Sequence, residues 1–217
     1  MNDSALILLS GGQDSTTALC WALQKFGTVS AISFDFGQTH KIELESAAAI
    51  AKECNVPHTI IHLHEIFKSV PQCALLSDAE EGRASERFPD TFVPGRNLLF
   101  LNVAAIHAFS RGIRNLVIGV SQLDYSGYPD CREGFIRSAE ESISLAMDEK
   151  FTIHAPFLFV SKAEEIRLMQ KWNTLPLLAL THTCYKGEKP PCGECDACVL
   201  RAKAFAEVGV EDPIKNE

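Results

Sequence analysis

Short apolar runs and helical patterns alternate along this chain. ALILL (5–9), VSAISF (29–34), HTIIHL (58–63) and NLVIGV (115–120) read as short buried strands, with FTIHAP (151–156) a weaker fifth. After the first run, Leu19, Ala22, Leu23 and Phe26 fall at i, i+3, i+4 and i+7, one face of a helix that Gly27 closes. Residues 42–54, 96–111, 134–149 and 161–172 carry further helical patterns. This alternation predicts an α/β fold built on a parallel, doubly wound, five-stranded sheet with right-handed crossovers. In such sheets ligands bind outside the carboxyl ends of the strands, and the unusual segments of this chain follow predicted strands.

Two stretches break the pattern. Residues 70–92 are polar and aperiodic, a length that suits either a lid over a site or a surface insertion. Residues 173–200 are rich in Pro, Cys and Gly and predict a tail held by something other than an apolar core. The expected organisation is a nucleotide-binding α/β body over 1–172 and a cysteine-bearing segment over 173–217.

Composition narrows the class. With 217 residues and a hydrophobic fraction of 46%, the chain suits one domain with a small appendage. A net charge of −8 weighs against a broad polynucleotide-binding face. The opening MNDSALILLS lacks the basic region of a signal peptide, and no run approaches the roughly 18 apolar residues of a membrane span. NLLFLNVAAIHAF, interrupted by Asn102 and His107, predicts a buried helix. Four of the eight cysteines crowd into residues 184–198, which in a reducing compartment suggests metal rather than disulfides and predicts a cytoplasmic protein.

The junction LILLSGGQDSTTAL carries the first chemistry. Glycines let backbone N–H groups approach an anion closely, and the following helix N-terminus adds partial positive charge. Ser10, Ser15, Thr16 and Thr17 add hydroxyl donors, and Asp14 suits a phosphate site only with Mg²⁺ between. The loop is neither G-x-x-x-x-G-K-[ST] nor G-x-G-x-x-G. A tight turn with an Asp or Ser cap is the plain alternative. In the tail, Cys184, Cys192, Cys195 and Cys198 give C-x7-C-x2-C-x2-C, four thiolates suited to a closed tetrahedral Zn²⁺ site. An iron–sulfur cluster is the rival, but the x7 spacing and the lack of a trailing C-x3-C-P favour zinc.

SGGQDS (10–15) resembles the pyrophosphate-binding loop of the N-type ATP pyrophosphatases, which form adenylates. FDFGQTH (34–40), FVPGRN (92–97), GVSQLDYSGYPDCRE (119–133) and the C…CGECDACVLR tail (184–201) extend the likeness to the family of 7-cyano-7-deazaguanine synthases, nitrile-forming enzymes of queuosine-precursor biosynthesis. The resemblance implies a Rossmann-like fold of the adenine nucleotide alpha-hydrolase type and a homodimer. It also implies ATP with Mg²⁺, ammonia and 7-carboxy-7-deazaguanine as reactants, with adenylated acid and amide as intermediates. ATP would lie along Leu9, Ser10, Gly11, Gly12, Gln13, Asp14, Ser15, Thr16, Thr17, Ala18 and Leu19.

Roles elsewhere stay open between chemistry and structure. Asp14 and Arg96 are the catalytic candidates, and Arg96 either neutralises charge at the reacting phosphate or carboxylate or forms a salt bridge at a helix start. Asn97 is a hydrogen-bond donor to substrate or an N-cap. Asp124 or Asp130 would accept from the N1–H and 2-amino edge of the deazapurine, and Tyr128 would stack on its ring, unless these residues only order their loop. His40 is a candidate proton shuttle. The competing activities are tRNA thiolation, for which Cys131 would carry sulfur, and other adenylating, amide-forming chemistry; a zinc-ribbon interaction module leaves the phosphate loop unexplained. No room remains for a glutaminase domain, so ammonia is the expected nitrogen donor.

Overall fold

The computed structural model describes residues 3–38, 41–68, 91–123 and 128–214. Five strands, β1 (Ser4–Leu8), β2 (Thr28–Asp35), β3 (His58–His62), β4 (Asn115–Ile118) and β5 (Thr152–His154), form one sheet. All pairings are parallel and the order is β3-β2-β1-β4-β5, so the chain winds outward one way from β1 and then the other. The order reverses between β1 and β4, the position where open sheets of this kind leave a crevice.

Alternation along β1 divides the core. Leu6 and Leu8 face one cluster, with Leu101, Ala104 and Ala105 of α4 (Arg96–Phe109) and Ile136 and Ile143 of α5 (Glu133–Met147). Ala5, Ile7 and Leu9 face the other, with Ala18, Leu19 and Ala22 of α1 (Gln13–Lys25) and Ala47, Ile50 and Ala51 of α2 (Ile42–Glu53). The period of two along the strand thus meets two helical layers, one per face. A four-residue helix, α3 (His64–Phe67), follows β3 and adds Phe67 to the first cluster.

Departures from the sequence pattern have local causes. Leu23 is 40% exposed, because α1 is buried on all sides from Ser15 to Cys20 but only on the Ala22 side beyond. β3 is an edge strand with Ile60 exposed, not a fully buried one. On α4, Leu101, Ala104, Ala105 and Ala108 are buried, but Leu98, Ile106 and Phe109 project to solvent, so that helix is buried on one side only. α6 (Lys162–Lys171) begins with a capping box in which the Ser161 hydroxyl accepts from the Glu164 N–H at 3.3 Å and Glu164 accepts from the Ser161 N–H at 2.9 Å.

The tail shares an apolar cluster with the body, a core that its Pro, Cys and Gly content did not announce. Helix α7 (Asp196–Val208) packs Ala204 and Phe205 onto Ile166 and Met169 of α6, with Leu178 fully buried beside them. Arg201, 4% exposed, ties the pieces together. Its guanidinium grips Asp212 through two contacts at 2.6 and 2.7 Å and donates to the Thr181 hydroxyl at 2.8 Å and the Leu178 carbonyl at 3.1 Å.

Immediately after β4, Gly119 packs against the first turn of α1. A Cβ there would lie 2.6 Å from the Asp14 carbonyl oxygen. Gly119→Ala is therefore expected to destabilise the protein by about 1–3 kcal/mol. Gly134→Ala, on the first turn of α5 where a Cβ meets nothing within 4 Å, should be neutral or stabilising. Urea unfolding of the two variants measures the contrast, and equal midpoints would refute the close-packing account.

Candidate active site

The loop after β1 is shaped by what surrounds it. Gly11 sits at φ +89°, and a Cβ there would come 2.2 Å from the Glu43 carbonyl oxygen and 2.8 Å from the Ala47 nitrogen on α2. No other residue meets both the backbone angle and the space. On the far side the His182 N–H donates to the Gly11 carbonyl at 3.0 Å, so the tail clamps the turn. Inside it, the Ser10 hydroxyl donates to Ser15 Oγ at 3.0 Å, and the Thr16 hydroxyl donates to the Gly12 carbonyl at 2.8 Å. The Gly12 N–H reaches Ser10 Oγ only at 3.4 Å, and helix α1 begins immediately afterwards.

A cavity of about 300 Å³ opens over this loop at the carboxyl ends of β1, β2 and β4. Leu9, Ser10, Gly12, Gln13, Asp14 and Ser15 line it. Thr17, Ala18 and Leu19 are buried below: Thr17 donates to the Gln13 carbonyl at 3.0 Å, and Leu19 belongs to the core beneath the sheet. Gln13, 2% exposed, holds an amide with no hydrogen-bond partner among the described residues at the cavity wall. A buried amide in this state calls for an outside partner, water or a ligand, that supplies a donor and an acceptor.

Opposite the loop stand residues from distant parts of the chain. Arg96 and Asn97 open α4 after Gly95, which takes the left-handed conformation at φ +73°. The Arg96 guanidinium lies 5.8 Å from the Phe36 ring centre, and Phe34 stacks on Phe100 at 4.3 Å, giving the cavity an aromatic wall. Tyr128 lines the cavity with its hydroxyl bonded to Thr91, and burial raises its phenol above the ordinary value. Cys131 also faces it, its sulfur accepting from the Asn97 amide at 3.6 Å.

The two loop aspartates and His40 fare differently. The Asp130 carboxylate accepts from the Asn97 N–H at 3.2 Å, and its carbonyl accepts from the Asn97 side chain at 3.2 Å. One Asp130 carboxylate oxygen thus caps the start of α4, and it is Asp130 rather than Asn97 that fills the capping role. His40, Asp124 and residues 70–90 lie outside the described residues.

Several cavity residues carry no signal in the one-dimensional pattern. Lys162, read only as the start of a helix, places its ammonium 2.6 Å from the Asp14 carboxylate, with both side chains largely buried. Thr183 and Tyr185 arrive from the tail, and Glu43 from the first turn of α2. The helical pattern over 161–172 places Lys162 near a helix start, but nothing in it points to Asp14.

The four clustered cysteines converge, with their sulfurs all within 4.8 Å of one another. Tetrahedral Zn–S bonds of about 2.3 Å set S···S near 3.8 Å, so the donor set fits such an ion. The N–H groups of Cys195 and Glu194 pull the Cys192 thiol below its ordinary value, whereas burial pushes Cys198 up. A dication offsets that conflict by favouring every thiolate.

The chain matches the family model described as "Queuosine biosynthesis protein QueC" over residues 4–209. It is 51% identical over 218 residues to a 7-cyano-7-deazaguanine synthase of Laribacter hongkongensis, covering 99% of this chain and 95% of that one. It is 49% identical over 219 residues to the synthase of Chromobacterium violaceum, covering 98% and 93%. Among solved structures, a 4-thiouridine synthetase complexed with RNA and ATP superposes with a TM-score of 0.53 at 16% identity, covering 95% of this chain and 50% of that one. The NMN synthetase of Francisella tularensis gives 0.53 at 13% identity, covering 97% and 79%; these two likenesses concern the fold. No helix among the described residues is long and apolar enough to cross a membrane.

Stripping metal from the purified chain with a chelator is expected to lower its unfolding midpoint and to expose Cys184 and Cys198, both buried here, to thiol reagents. Equal midpoints with and without chelator would contradict a metal-held tail.

Proposed function

We propose a reaction from the premise that this chain belongs to the QueC family of queuosine biosynthesis proteins, whose members include the 7-cyano-7-deazaguanine synthases. It is an ATP-dependent ligase. In the proposed reaction, 7-carboxy-7-deazaguanine and ammonia become 7-cyano-7-deazaguanine. A carboxylate is a poor electrophile, so its oxygen first attacks the α-phosphorus of ATP and pyrophosphate departs. Ammonia then displaces AMP to give the amide. The amide oxygen takes a second adenylyl group, and loss of that oxygen with AMP, together with the remaining N–H protons, leaves the nitrile.

The observation that carries this reading is one cavity with a phosphate-type loop on one wall and Arg96, Phe36 and Tyr128 on the other. The loop's N–H groups and hydroxyls suit the β- and γ-phosphates. Mg²⁺ would be held by Asp14 and phosphate oxygens, and it supplies charge neutralisation there. Lys162, beside Asp14, would offer a cation to the same phosphates. Arg96 is suited to the charge developing at the α-phosphate, and Tyr128 to the ring of the deazapurine. Asp124, or Asp130 through the carboxylate oxygen that does not cap α4, is the candidate acceptor for the guanine-like edge.

The tail would bind zinc through Cys184, Cys192, Cys195 and Cys198, and that ion supplies folding energy rather than chemistry. By holding the chain from His182 to Tyr185 in place, the tail completes the cavity wall and braces Gly11. A homodimer is supported by Leu98, Ile106 and Phe109, which share one exposed face of α4. Reduced cysteines suit a cytoplasmic setting.

Cys131 at the cavity wall is the specific feature that favours tRNA thiolation as the second reading. Incubation with ATP, ammonium and 7-carboxy-7-deazaguanine is expected to give a product with the mass of the nitrile, and Cys131→Ser should keep most of that activity. Pyrophosphate release only with tRNA present, or a dead Cys131→Ser variant, would favour thiolation instead.

A further inference from the structure

One acid in the cavity has no part in the roles given so far. Glu43 is the second residue of α2, and its backbone carbonyl is the atom packed against Gly11. Its placement beside the phosphate loop is therefore fixed by main chain. The cations that would ordinarily pair with it are engaged elsewhere: Lys41 with Asp35 at 3.3 Å, and Lys162 with Asp14 at 2.6 Å. Among the described residues no hydrogen bond or salt bridge reaches the Glu43 carboxyl, and Arg96 is the charge that acts on it across the cavity.

Two influences favour the ionised form, the start of α2 and the Arg96 guanidinium. Burial outweighs them and pushes the carboxyl up to about 7. The other titratable groups around the cavity do not compete for this role. The Tyr128 and Tyr185 phenols are raised by burial and stay neutral. His182 bonds the Cys184 carbonyl at 3.0 Å, and Cys131 accepts from Asn97. Glu45, one turn-step along α2, is exposed.

We propose that Glu43 draws ammonium into the cavity and takes a proton from it, an assignment that rests on the nitrile-forming reaction above. Ammonium has no lone pair, so it cannot attack an acyl-adenylate. The Glu43 carboxylate attracts the cation and accepts one proton, and the N–H electron pair stays on nitrogen. That pair forms the C–N bond at the acyl carbon while the C–O bond to AMP breaks and its electrons leave on the phosphate. A second nitrogen proton goes to water, leaving the amide, and Glu43 returns its own proton to water before the next turn. A carboxyl poised near neutrality suits this exchange, because it is charged when ammonium arrives and still able to hold the proton. The active form is the carboxylate, so the ammonium-dependent rate falls as pH drops through about 7.

The test uses the full chain and two partial reactions. Exchange of labelled pyrophosphate into ATP, driven by the carboxylate substrate without ammonium, reports adenylation alone. Nitrile formation with ammonium reports the nitrogen step. Glu43→Gln is expected to retain exchange, to lose about 10²-fold or more of nitrile formation at neutral pH, and to regain it as the pH is raised until free ammonia is abundant. Glu43→Asp, which keeps an acid, should retain part of the neutral-pH rate and serves if the Gln variant unfolds. Wild-type nitrile formation by Glu43→Gln at neutral pH would overturn the proposal, and so would loss of exchange together with nitrile formation, which would make Glu43 part of the ATP site. A wild-type chain that makes no nitrile would overturn the reaction itself, an outcome visible without any substitution.

Discussion

The close approach of bare backbone at Gly11 is the constraint from which the site follows. Without a Cβ there, the first turn of α2 can lie against the loop after β1, and its carbonyl occupies space no side chain could share. Gly119 does the same from the β4 side, against the Asp14 backbone. Between these contacts the turn has little freedom, so its N–H groups are oriented before any ligand arrives. Preorganised donors cost no rearrangement at the moment of reaction, which is the main electrostatic advantage a protein holds over water.

Charge in the cavity is arranged around that turn. The Asp14–Lys162 pair keeps two partly buried charges matched while no phosphate is present. Among the described residues Arg96 has no salt bridge to a carboxylate, and an aromatic ring lies beside it. Glu43 is left as the acid whose protonation changes near neutrality. The tail joins this arrangement mechanically. Arg201 holds α7 to the segment leading into His182, and His182 hydrogen-bonds Gly11, so a metal bound by the cysteines would act on the phosphate loop through only a few residues.

The sheet was legible because short, uniformly apolar runs, as strands covered on both faces require, alternate with helical patterns, and because GG-x-DS interrupts a strand–helix junction. The cysteine spacing was legible for a similar reason: four thiols at those intervals converge readily. Periodicity gave no warning of α7, since its first turn carries Asp196 and Cys198 and reads as part of the cysteine run. Nor does it separate Asp124 from Asp130, two acids in one loop, of which Asp130 turned out to cap α4. Glu43 and Lys162 were hidden because each lies at a helix start, where an acid or a basic residue near a cap has an ordinary local reason to exist. Their part in the cavity comes from tertiary approach, with Asp14 and Lys162 separated by 148 positions in the chain.

The account stands on the turn after β1 gripping the diphosphate that leaves magnesium–ATP. The most direct measurement is substrate-driven pyrophosphate release by a chain carrying both Ser10→Ala and Asp14→Ala, with unfolding midpoints confirming that it is folded. The account predicts that release falls to background in this variant. A folded double variant that releases pyrophosphate at the wild-type rate would contradict it.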